Sequence, residues 1–186
     1  MSYSRFRLLP SHVLISTLAI VLLAFAGGCS SADEEGPTGP SAPIGPLSFE
    51  TVEQSHVEPG SVDESVAGKF KDGVQRVIRD QSAFVSFWQD LHGENAEAPS
   101  INFSRKVVVA TMFGPRPNDG YAADIRSITK NTNPTLVSVF VTEIKPGASC
   151  SNSGSEVMPH HIVKLDRFST DQVTFSDNGT ETKECE

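Results

Sequence analysis

The chain has 186 residues, with 15 Lys and Arg against 23 Asp and Glu, and a formal charge of −8. No basic cluster interrupts that acidity. The composition therefore argues against nucleic-acid binding and against electrostatic attachment to an anionic bilayer.

The first element is a leader. Arg5 and Arg7 precede an apolar run, Val13 to Ala26, broken only by Ser16 and Thr17. That run is short of the ~20 apolar residues a membrane-spanning helix needs. A positive head, a short apolar core and an exit through small residues predict a secretory signal over 1–28. The exit, Ala26-Gly27-Gly28-Cys29, resembles a bacterial lipobox, with Ala26 where leucine is usual. The resemblance implies cleavage before Cys29 and acylation of its thiol, so that acyl chains attach the protein to a bacterial membrane at ~0.8 kcal/mol per buried methylene. Ser30 follows Cys29, where an aspartate would signal retention, and by the same resemblance this favours the outer membrane. Residues 29–50 then read as a tether. Prolines 37, 40, 43 and 46 recur every third residue, the period of a polyproline-II helix. At ~3.1 Å per residue the stretch 30–50 reaches ~65 Å.

Residues 51–186 are long enough for one domain with its own core. Val74 to Asp80 reads as a strand leading into a helix. In the helix "DQSAFVSFWQDLHG", Phe84, Phe87, Trp88 and Leu91 fall on one face. Asp80 or Ser82 is the expected N-cap and Gly93 the stop. "KVVVATMF", Lys106 to Phe113, is a continuous apolar run and predicts a strand buried on both faces. Next comes a stiff connection: Gly114, Pro115, Arg116, Pro117, Asn118, Asp119, Gly120 and Tyr121. Its two prolines restrict the backbone, and Gly120 is expected to supply a positive φ in the turn. A loop stiffened in advance loses little entropy on docking. Arg116 held outward and Tyr121 at its base are residue types enriched at interface hot spots, so the loop is the candidate partner-binding site. A plain hairpin turn, with Tyr121 in the core, is the other reading.

Strand signals continue from Tyr121, where Tyr121, Ala123 and Ile125 alternate with Ala122, Asp124 and Arg126, and from Thr135 to Ile144. His160 to Arg167 and Gln172 to Ser176 read as a terminal hairpin. The fold class expected is α+β: an antiparallel β-sheet or sandwich with one main amphipathic helix packed on it. Cys150 and Cys185 are the two cysteines left after Cys29. In an oxidising compartment they are expected to pair, pinning the tail to the loop after a central strand; two free thiols are the alternative. His160 and His161, adjacent on a strand, point to opposite faces and are expected to be one exposed and one packed. His56 and His92 show no ligand spacing, and the chain has no HExxH, P-loop or GxGxxG motif. No catalytic residue, metal ligand or cofactor is assigned. A carboxylate pair assembled by folding is the enzymatic alternative.

Three ordered segments, "KVVVATMFGPRPNDGYAADI", "TEIKPGASC" and "VMPHHIVKLDR", together with the upstream "FWQDLHG", resemble the PrcB C-terminal domain family over residues 74–167. Where that family often has Thr-Gly-Gly-Tyr, this chain has Asn118-Asp119-Gly120-Tyr121. The resemblance implies a non-enzymatic, lipid-anchored accessory protein of the cell envelope that supports an exported partner such as a protease. Gly120-Tyr121 also fits the proline-containing loops of chagasin-like inhibitors, which implies as alternative a module inserting this loop into a protease cleft.

Overall fold

Six consecutive buried residues in one strand require a partner layer on each face. The computed structural model, which describes residues 45–61, 64–132 and 135–185, supplies both layers. Strand β3, Lys106–Met112, is buried from Val107 onward. It lies inside a four-stranded antiparallel sheet of order β1-β6-β3-β2, with β1 at Phe49–Val57, β2 at Val74–Ile78 and β6 at Met158–Asp166. A second sheet has the order β4-β5-β7, from Ala122–Thr132, Thr135–Pro146 and Val173–Lys183. Val107 and Val109 of β3, with Val163 and Leu165 of β6, pack between the sheets against Ile125, Ile128, Val139 and Val141. Val108, Ala110 and Met112 project from the other side, with Ile162, onto Phe84, Phe87 and Leu91 of helix α2, Gln81–His92. The fold is thus a β-sandwich with a helix on its outer face, as the pattern predicted. Each fully buried Val, Leu or Phe contributes ~1.5–3 kcal/mol.

Helix α2 begins and ends where its caps dictate. Asp80 Oδ1 accepts a hydrogen bond from Ala83 N at 2.9 Å, satisfying a donor the first turn leaves free. Gly93, at φ 97°, closes the helix by donating to Gln89 O at 2.9 Å. A second helix, α1 at Glu64–Phe70, has no counterpart in the sequence reading. Its Phe70 is buried edge-on against Phe87.

Three expectations change. First, folded structure starts before residue 51. Pro46 bridges Thr129, Leu47 N donates to Ile128 O at 2.7 Å, and Leu47 and Phe49 pack on the inter-sheet core. The last of the evenly spaced prolines therefore belongs to the domain. Second, β6 and β7 do not form a hairpin. Both edges of β6 are already taken, by β1 and β3. The chain crosses to the other sheet instead, burying Phe168 on the way. Third, one pairing is parallel: β7 runs alongside β5. Parallel neighbours need a long crossover, and β6, passing through the opposite sheet, provides it. Cys150 and Cys185 are joined, with their Cα atoms 5.0 Å apart, so the tail is fastened to the segment after β5. Cys29, the leader and most of the tether lie outside the described residues.

Candidate functional site

The loop after β3 is braced along its length. Arg116 and Val157 exchange both backbone hydrogen bonds, at 2.7 and 2.9 Å. Asn118 Oδ1 accepts from Gly120 N at 3.0 Å, and Asp119 Oδ1 accepts from Ser153 N at 2.8 Å. Gly120 is not in the left-handed region. Its glycine is required by proximity, because a Cβ there would meet Asn152 Oδ1 at 2.3 Å and Pro146 Cβ at 2.7 Å. The loop thus lies along residues 147–157, the segment held by the disulfide.

Arg116 is not held outward. Its Nε donates to Glu143 Oε1, its Nη1 donates to the carbonyls of Gly114 and Pro115, and its guanidinium lies over the Phe113 ring, 5.4 Å from the centroid. A half-buried carboxylate and two inward carbonyls offer the cation better company than solvent does. Pro117 and Asp119 form the exposed tip, and Tyr121 is half-buried at the base. Beside the loop runs a cleft of about 400 Å³ lined by Lys71, Asp72, Gly73, Phe113, Gly114 and Arg116, among others. Gly114 sets how closely the two walls approach. A Cβ at this position would lie 2.4 Å from Lys71 O, a backbone atom that cannot swing aside. Gly114→Ala is expected to cost ~1–3 kcal/mol, the usual range for overpacking. Chemical denaturation measures it, and an unchanged midpoint would show that the walls part freely.

The adjacent histidines do point to opposite faces, but both are buried, at 1% and 3% exposure. His161 faces the second sheet. Its Nδ1 accepts from Ile125 N at 2.9 Å, so Nε2 carries the proton and donates to Thr51 Oγ1 at 3.0 Å. Burial holds this imidazole below its ordinary pKa, against the pull of Asp124, whose Oδ1 is 3.4 Å from Nδ1. That nitrogen is already occupied as an acceptor, so the role of His161 is structural.

His160 faces α2. Its Nε2 lies 3.5 Å from Glu53 Oε2, and the same oxygen lies 2.9 Å from His92 Nε2. Burial raises the pKa of Glu53, but the two histidines outweigh it, and the carboxyl stays below its ordinary value. Glu53 is aimed there by a bulge in β1: Thr51 pairs with Val163, yet Glu53 pairs with Ile162. The extra residue reverses the alternation. Thr51 consequently faces His161 between the sheets, whereas Glu53 faces His160 and the helix.

No family model matches this chain, and neither does any curated protein or solved structure. Among the described residues no helix is long and apolar enough to cross a membrane.

Sequence reasoning located the loop but missed the grouping of Glu53, His92 and His160. Those three come from β1, the end of α2 and β6, and their separation along the chain carries no ligand spacing. The one signal present was the pair of adjacent histidines in a strand that is otherwise mostly apolar.

Proposed function

We propose that this protein is a non-enzymatic, lipid-anchored binding module of the bacterial envelope, held at the outer membrane through Cys29 and presenting the Gly114–Tyr121 loop to an exported partner such as a protease. The observation that carries the docking surface is the bracing of the loop: two backbone bonds to Val157, one side-chain bond to Ser153 and close packing of Gly120 on Pro146. A surface already held in one conformation loses little on association. Insertion into a protease cleft is less favoured, because that needs a projecting tip and this loop lies along its neighbour. The anchor rests on the lipobox-like exit at Cys29 and on the leader before it.

Two experiments in the native host address the two halves. A photoreactive residue replacing the exposed Pro117 is expected to cross-link one exported protein, and the same residue replacing Lys69, which lies 51% exposed, is expected to give no such adduct. No adduct from position 117, or equal adducts from both, would overturn the docking surface. Cys29→Ser is expected to abolish incorporation of labelled fatty acid and release the protein from washed membranes. Unchanged labelling and sedimentation would overturn the anchor.

A further inference from the structure

We propose that Glu53, His92 and His160 form a binding site for a divalent transition-metal ion, with zinc the best chemical fit. Two imidazoles and a carboxylate are a donor set suited to zinc and its first-row neighbours. The three candidate ligand atoms lie within 4.8 Å of one another. Ligand atoms around tetrahedral zinc, at about 2.0–2.2 Å from the metal, lie roughly 3.3–3.5 Å apart. Glu53 Oε2 is already 2.9 Å from His92 Nε2 and 3.5 Å from His160 Nε2. Closing the set requires only movement of His92, the last residue of α2, whose side chain is 26% exposed.

An independent observation points to a missing ligand. His160 is 1% exposed, and among the described residues neither of its ring nitrogens has a hydrogen-bond partner. Its Nε2 is directed at Glu53 Oε2 from beyond ordinary N–H···O bonding length. Burying an unpaired polar ring is costly, and a metal bound at Nε2 removes one of the two orphans. The surroundings are those of a built site. Trp88, one turn before His92, packs on its ring with centroids 4.3 Å apart. The β1 bulge aims Glu53 at the histidines. His92 also lines a cleft of about 360 Å³ with His56, Val57, Glu58 and Leu91, so this ligand is open to solvent. With three protein ligands the fourth position stays available to water or to a donor from a partner. Bound there, the ion joins the end of α2 to β1 and β6.

The test uses the full chain purified in detergent, stripped with a chelator and titrated with zinc chloride under calorimetry. Cobalt(II) serves as the optical probe of coordination. One equivalent of zinc is expected to bind, with a rise in melting temperature and with cobalt bands of tetrahedral or five-coordinate intensity. His92→Ala and Glu53→Gln alter partly exposed side chains, so they avoid the folding risk of replacing His160. Each is expected to weaken zinc binding at least ~100-fold, beyond the 10–100-fold typical of supporting groups. His56→Ala, at the cleft but outside the donor set, is expected to bind as the unaltered protein does. Absence of stoichiometric binding, or equal affinity in the His92 and Glu53 variants, would overturn the site. Loss of binding in the His56 variant alone would overturn the assignment of these three ligands.

Discussion

Phe84→Ala is expected to lower the stability of the protein by ~3–5 kcal/mol, the range for truncating a buried aromatic residue. Phe84 has no exposed surface and sits where helix, sheet and loop meet. Its ring lies 5.7 Å from that of Trp88 and 5.9 Å from that of Phe103, centroid to centroid. Removing the ring leaves a cavity that neither neighbour can fill. Trp88 is stacked on His92 on its other side, and Phe103 belongs to the rigid turn entering β3. Urea denaturation should show a lower midpoint with an unchanged slope, because the surface exposed on unfolding is nearly the same. A loss below ~1 kcal/mol would mean that α2 can re-seat without this ring, and that the helix-side core is loosely packed.

The second large effect concerns the disulfide. Replacing Cys150 and Cys185 together by serine is expected to cost ~3–4 kcal/mol in the chain-entropy estimate, for a cross-link spanning 35 positions. The loss should be concentrated at one end of the molecule. The disulfide fastens residues 147–156 to the tail after β7, and Gly147 N also donates to Lys183 O at 2.9 Å. Asp119 and Gly120 rest on that same segment. Opening the link should therefore loosen the proposed docking loop as well as the tail. Hydrogen exchange is the discriminating measurement. Amides of Gly147 and Ser153 are expected to exchange roughly tenfold faster or more, while β3 amides change only with global stability. Uniform acceleration, or none at Ser153, would show that the loop does not depend on the covalent link.

The local elements were legible because their signals are local. The α2 face repeats with the helical period, and its caps sit at Asp80 and Gly93, within the first and last turns. The β3 run is apolar on both sides because both sides are covered. β1 escaped notice because it is an edge strand whose residues are mostly partly or fully exposed, so it shows no apolar alternation. α1 is too short, at seven residues, to display a period. Arg116 was misread for a different reason. Its partners, Glu143 and two carbonyls, are assembled by the fold, and a loop sequence alone gives no sign of an acid 27 positions away.

By itself the sequence determined the class of the fold: an acidic chain, with an apolar run before Cys29, proline spacing after it, a helix with one apolar face, and strands whose periods require two covering layers. Those properties depend on neighbouring residues, and covalent order is enough to state them. Only the tertiary structure decided that β7 runs parallel to β5, that β6 separates them in the opposite sheet, and that Glu53, His92 and His160 converge. Such contacts join residues tens of positions apart. Strand order, and a single-residue bulge that reverses which face a side chain meets, select them.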